Sequence, residues 1–276
     1  VITNIGTSHI GNLGSRENIL KAKLEILDGA EKPTIIINND NDLLHKWYVE
    51  NKENKNIITF GIENESDIMA KQLELHHNGS EYKCNINGKN VNVKVPIAGE
   101  HFVLNALCAT TVGKVLNIDE NKILDGIASV ELTKKRMDIT EKNGITIIND
   151  AYNASLESIK ASLKYLQTFK NNRKIAILGD ILELGNYSED LHRKVGMEVV
   201  KEGVDILICY GKASKYIVEQ AKKEGMKEKN IYYFSEKEEI LELLKKEIKR
   251  GDVLLFKASN AMKFFDLATE LVEYIS

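Results

Sequence analysis

The chain is predicted to be an α/β protein with a mainly parallel sheet, most clearly in its second half. Short apolar runs rich in β-branched residues recur there: ITIIND (145–150), KIAILGD (174–180), VDILICYG (204–211), IYYF (231–234) and VLLFKAS (253–259). Between and after them, apolar residues repeat at helical spacing over 155–169, 188–202, 214–224, 236–249 and 261–275. Strand and helix alternate five times, the pattern of a parallel sheet with helices on both faces. In such sheets ligands bind beyond the carboxyl ends of the strands. Asp150, Tyr152, Asn153, Asp180, Glu183, Lys257, Ser259 and Asn260 stand at those places.

The first half is less regular. VITNIG (1–6) reads as a strand, and 15–27 as a helix. On a wheel of about 100° per residue, Ile19, Ala22, Ile26 and Leu27 share one side, with Leu20 and Leu24 beside them. Lys23 falls inside that stripe, whereas Lys21 points away, so an ammonium is expected on the buried face. TIIINND (34–40) and NIITFG (56–61) read as strands around a helix over DLLHKWYVE (42–50). EYKCNINGKNVNVKVP (81–96) alternates apolar and polar around Asn87-Gly88, a hairpin signal. Helical patterns follow over 99–116 and 119–130. A change of character across 136–144 sets the expected boundary, giving domains 1–140 and 141–276. As a sheet the first half is incomplete, because a strand as the very first element needs neighbours.

The bulk numbers exclude several classes. Over 276 residues, 43% are hydrophobic and 29% charged, as in soluble globular proteins. A net charge of -3 gives no broad field for nucleic acid or an anionic membrane. Lysines are interleaved with glutamates, as in EKEEILELLKKEIKR, which reads as a solvated helix face. Cys84, Cys108 and Cys209 are far apart and odd in number, as expected of free thiols in a reducing cytoplasm. No apolar run approaches the roughly 18 residues of a membrane span.

Six stretches carry a family resemblance. In order, ITNIGTSHIGNLGSRENILKAKLEI, GEHFVLNALCATTVGKVL, KKRMDI, IINDAYNASLESIKASL, ILGDILELGNYSEDLHRKVG and LLFKASNAMKF resemble the Mur ligases. These are the ATP-dependent amide-forming enzymes of peptidoglycan precursor synthesis. DAYNAS followed by LGDILELG is most similar to the branch that adds D-alanyl-D-alanine to UDP-N-acetylmuramoyl-tripeptide. The resemblance spans essentially the whole chain. It implies part of a central ATPase domain, then a C-terminal Rossmann-like domain. It also implies that Val1 lies inside the central domain, downstream of the phosphate loop and of the domain holding the UDP-sugar. No GxxxxGK[ST] occurs in the 276 residues, so this stretch alone is expected to be inactive.

The resemblance assigns roles residue by residue. His9 matches a magnesium ligand or near-ligand, and Lys23 matches a lysine that the family carbamylates. A carbamate replaces an ammonium by anionic oxygens, which suit Mg²⁺. His101 and Asn105 match the adenine-side helix, although Phe102 stands where an Asn is frequent. Arg136 matches an arginine on the ATP phosphates, a role suited to its planar, permanently charged fork. Asp150 matches an acidic residue at the ribose. Tyr152, Asn153, Asp180 and Glu183 match the pocket for the incoming dipeptide. Lys257 and Ser259 are candidates for its carboxylate, with Ala258 and Asn260 replacing the family's usual Gly and basic residue. Gly179-Asp180 equally suits an ordinary turn before a helix. The implied cofactors are ATP and Mg²⁺, and the implied setting is a cytoplasmic monomer with no nucleic acid and no membrane insertion. Another Mur ligase, a folylpolyglutamate synthase relative and a non-catalytic Rossmann-like binding module stay open at this point.

Overall fold

The structure is a computed structural model and describes residues 1–53, 56–131 and 136–276. Lys134 and Lys135 of the KKRMDI stretch lie outside the described residues. The chain divides into two compact units, one of Val1–Gly6 with Leu13–Glu131 and the other of Thr7–Asn12 with Leu132–Ser276. The helical turn α1 (Ile10–Leu13) lies where the chain passes from the short segment of the second unit back into the first.

In the first unit, α2 (Arg16–Leu24) begins at Ser15, whose hydroxyl accepts the Asn18 N–H. β1 (Thr34–Asn38) pairs in parallel with β2 (Asn56–Gly61), and α3 (Asp42–Asn51) connects them. β2 pairs in turn with the short β3 (Ile68–Met69). A second, antiparallel sheet holds β4 (Lys71–His76), β5 (Gly79–Ile86) and β6 (Lys89–Val95). The Asn87-Gly88 turn forms as expected, with φ of 51° and 85°. Two positive φ values in a two-residue loop match the twist of the flanking strands. Alternate residues of β5, namely Ser80, Tyr82, Cys84 and Ile86, are buried. Their apolar members pack with Val103 and Leu107 of α4 (Glu100–Val115) and with Ile123 and Ile127 of α5 (Glu120–Ala128).

Two expectations for the first unit are corrected. VITNIG is not a strand: only Ile2 forms a bridge, parallel to Ile37. The following carbonyls are taken by side chains, Asn4 O by Lys23 Nζ at 2.8 Å and Ile5 O by Arg16 Nη2 at 2.8 Å, so no ladder continues. Nor is Lys23 buried. It is exposed, and of its supposed stripe only Ile19 is fully buried, while Ile26 is 64% exposed. The helix stops at Leu24, and Glu25–Leu27 tightens into a 3₁₀ turn that breaks the 100° phase of the wheel.

The second unit is one six-stranded sheet in the order β11-β10-β9-β12-β8-β7. Its strands are β7 (Asp138–Lys142), β8 (Ile145–Asn149), β9 (Arg173–Gly179), β10 (Ile206–Tyr210), β11 (Ile231–Phe234) and β12 (Asp252–Lys257). All pairs are parallel except β7 with β8. The five expected helices are present: α6 (Leu156–Leu166), α7 (Ser188–Lys201), α8 (Lys215–Lys223), α9 (Glu238–Glu247) and α10 (Phe264–Tyr274). Ser155 and Ser158 form a capping box at the start of α6. From β9 the strands step outward through β10 to β11. β12 then returns between β9 and β8. That return sets the carboxyl ends of β8, β12 and β9 side by side, where an open α/β sheet binds its ligands.

Candidate functional site

At these strand ends Lys257 is 2% exposed. Its ammonium donates to Asp150 Oδ2 at 2.5 Å, to Asp150 O at 3.2 Å and to Asn153 O at 3.2 Å. Three protons meet three protein oxygens. Burial pulls the Lys257 ammonium below the usual lysine range, and the Asp150 carboxylate pulls the other way. Asp150 also accepts from Ser162 Oγ at 2.7 Å and from Met137 N at 3.2 Å. Both residues were expected to meet ligand, Lys257 at a dipeptide carboxylate and Asp150 at a ribose. In this arrangement they bond each other and lock the turn after β8. Beside them the Arg136 guanidinium lies 4.4 Å over the Tyr152 ring, a cation–π pair on an exposed surface. Asn260 Nδ2 donates to Tyr152 O at 2.9 Å, and Asn153 Oδ1 accepts its neighbour's amide, Ala154 N, at 2.9 Å.

Asp180 follows β9 and is also inward-facing, at 7% exposure. Its Oδ1 accepts from Ala213 N at 3.1 Å and Ser214 N at 2.7 Å, where α8 begins. A carboxylate there satisfies orphan amides and complements the helix dipole. Its main-chain oxygen accepts from Ser259 N at 3.0 Å, and Ser259 Oγ accepts from Leu182 N at 2.9 Å. The loops after β9 and β12 are therefore stitched together.

Sequence reading misses two residues of this network, Ser162 and His192. His192 is fully buried and shares the inner face of α7 with Leu191, Val195 and Val199. A histidine on an apolar helix face is the signal that was available. Its Nε2 accepts from Ile181 N at 3.0 Å, and its Nδ1 donates to Ser188 O at 2.7 Å. Burial holds the imidazole below its ordinary value of 6.5, against the opposing pull of Ser188 O and Asp180. The unfolded chain therefore binds the proton first as pH falls. The stabilisation from neutral His192 is present above pH 6.5 and is lost as pH drops below it, by up to about 1.4 kcal/mol per pH unit. Urea unfolding at pH 7.5 and 5.5 is expected to show a smaller pH-dependent loss in His192→Gln than in the wild type.

On the same side of the sheet, His9 meets Glu183, with Nδ1 and Oε2 2.5 Å apart. Both side chains are exposed, at 63% and 58%. A cavity of about 300 Å³ lies beside them, lined also by Asn153, Ser155, Leu182, Ser259 and Asn260. Thr7 Oγ1 donates to Glu157 Oε2 at 2.9 Å.

The remaining candidates belong to the first unit. Lys23 Nζ donates to Asn4 O at 2.8 Å. His101 and Asn105 lie one turn apart on α4, Asn105 exposed and the His101 ring tilted against Phe102 at 4.1 Å. Among the described residues no group of three His, Cys, Asp or Glu could hold a metal. Mg²⁺ does not require such a group, and His9, with its Nε2 unbonded among the described residues, is a donor available to it. This ion keeps its waters and uses one or two carboxylates with substrate phosphates, so it would come with a nucleotide. Among the described residues no helix is long and apolar enough to cross a membrane.

Comparison with known proteins gives two family matches, the Mur ligase middle domain over residues 1–113 and the Mur ligase, glutamate ligase domain over residues 135–260. The UDP-N-acetylmuramoyl-tripeptide--D-alanyl-D-alanine ligase of Bacillus subtilis is 33% identical over 276 residues, covering 99% of this chain and 59% of its own length. Among solved structures, MurF from Acinetobacter baumannii superposes with a TM-score of 0.87 at 26% identity, covering 99% of this chain and 59% of that one. MurF from Thermotoga maritima in complex with ADP superposes with a TM-score of 0.82 at 25% identity, covering 99% and 62%. The chain thus spans about three-fifths of the length of these relatives.

Proposed function

Because this chain belongs to the Mur ligase family, we propose that it serves the ATP-dependent addition of D-alanyl-D-alanine to UDP-N-acetylmuramoyl-tripeptide in peptidoglycan precursor synthesis. The observation that carries the choice within the family is the 33% identity to a ligase of that name along 99% of this chain. The strand-end cluster supports it, because Arg136, Tyr152, Asn153, Glu183 and Ser259 all lie at loops where an α/β sheet takes ligands. On this reading residues 1–140 belong to the middle domain and 141–276 to the C-terminal domain, working as a monomer in the cytoplasm.

In the proposed reaction a tripeptide carboxylate attacks the γ-phosphorus of ATP. ADP leaves and an acyl phosphate forms. The dipeptide amine then adds to the acyl carbon, and the tetrahedral intermediate expels phosphate as the amine proton is lost. The protein contributes position and electrostatics. Arg136 steadies phosphate charge, and His101 and Asn105 flank the base. His9 would hold the Mg²⁺ that a bound nucleotide brings, and Lys23, if carbamylated, would offer anionic oxygens suited to that ion. Tyr152, Asn153, Glu183 and Ser259 face the dipeptide. Lys257, Asp150 and Asp180 act through the loops they hold.

The test is acceptor choice. With ATP and UDP-N-acetylmuramoyl-tripeptide, the full gene product is expected to release ADP only when D-alanyl-D-alanine is added. Turnover with meso-diaminopimelate or glutamate instead would transfer the chain to another branch. The 276 residues alone contain no GxxxxGK[ST]. They are expected neither to ligate nor to bind ATP as tightly as 1 mM, about -4 kcal/mol, in a calorimeter.

A further inference from the structure

We propose that Glu183 is the positioning residue of His9, fixing which ring nitrogen carries the proton and leaving Nε2 as the free acceptor. An ionised carboxylate only accepts, so the 2.5 Å contact places the proton on Nδ1. Nε2 has no hydrogen-bond partner among the described residues. Free imidazole favours the opposite tautomer, with the proton on Nε2, so the carboxylate is needed to hold this one. Histidines that ligate metals are oriented in the same way, by a carboxylate on the far nitrogen.

An exposed pair of this kind is ordinarily loose and worth little. Here the backbone clamps it. His9 and Glu183 both have left-handed backbones, with φ of 61° and 62°, which few non-glycine residues adopt. Gly11 N donates to Glu183 O at 3.1 Å. A Cβ on Gly11 would lie 2.6 Å from both Glu183 O and Gly185 N, so only glycine lets the two loops meet this closely. Two loops shaped to face each other, joined once through backbone and once through side chains, make an orienting device rather than a chance surface contact. Its use rests on the proposal above that His9 lies beside the nucleotide's cation.

Long-range ¹H–¹⁵N correlation spectra of the histidine-labelled 276-residue chain test this directly. His9 is expected as the Nδ1–H tautomer in the wild type and in Glu183→Gln, whose amide oxygen still accepts, and as Nε2–H in Glu183→Ala. The Mn²⁺ concentration that half-broadens the His9 ring signal is expected to rise roughly 10–100-fold in Glu183→Ala and to stay near wild type in Glu183→Gln. An Nε2–H tautomer in the wild type, or no change in Glu183→Ala with the other signals intact, would overturn the proposal. A tautomer switch without any change in Mn²⁺ broadening upholds the orienting role and overturns the placement of His9 beside the cation.

Discussion

Replacing Lys257 by methionine is expected to destabilise the second unit by about 3–5 kcal/mol, the range for removing one partner of a buried ion pair. Methionine fills much of the space of the lysine stem, so the loss is electrostatic rather than a cavity. Asp150, whose side chain is 13% exposed, is left with Ser162 and Met137 N as donors and with no cation. The carbonyls of Asp150 and Asn153 lose a donor at the same time. Hydrogen exchange in urea, read on β8, β12 and α6, reports this unit separately. Adding Asp150→Asn removes the stranded charge while keeping groups for Ser162 and Met137. The double variant should recover a coupling energy of about 1–3 kcal/mol, as residues sharing one network do. A loss below about 1 kcal/mol in the single variant would show that the pair behaves like a solvated surface bridge.

How much of this was legible in the sequence depends on what each pattern encodes. The five parallel strands were readable because a strand covered on both faces has no polar side, as in β12, which is buried from end to end. β7 was missed for the converse reason: four of its five residues are exposed and the fifth is half-buried, which leaves no apolar rhythm. Its one local signal was Asn143-Gly144, with φ of 51° and 75°, the same turn that announced the β5–β6 hairpin. Strand-end positions named Asp150, Asp180, Lys257 and Ser259 correctly as a neighbourhood. They did not show that these residues bond one another. That follows only from β12 entering between β8 and β9, a tertiary choice with no local signature. The wheel that buried Lys23 counted Ile26 and Leu27 in its stripe, but these lie in the 3₁₀ turn after α2 and leave the helix phase. Within α2 the stripe shrinks to Ile19 as its one buried residue.

Gly211→Ala is expected to cost about 2–4 kcal/mol, combining backbone strain with the loss of a helix cap. Gly211 has φ of 122°, which an alanine adopts only under strain. A Cβ there would lie 2.5 Å from Asp180 Cγ, so the carboxylate must leave its place. Leaving strands the Ala213 and Ser214 amides at the start of α8. The displacement should travel further, because Asp180 O holds Ser259 N and Ser259 Oγ holds Leu182 N, one residue before Glu183. A double-mutant cycle separates this chain of effects from strain alone. If Gly211→Ala acts by evicting the carboxylate, Asp180→Ala removes the target beforehand, and the two losses overlap by about 0.5–3 kcal/mol. Strictly additive losses would mean that the alanine is accommodated by the backbone and that the carboxylate never moves. Overlap would place Asp180 as the joint between α8 and the loop that presents Glu183 to His9. The Glu183–His9 tautomer signal should then weaken in Gly211→Ala, even though neither residue has been changed.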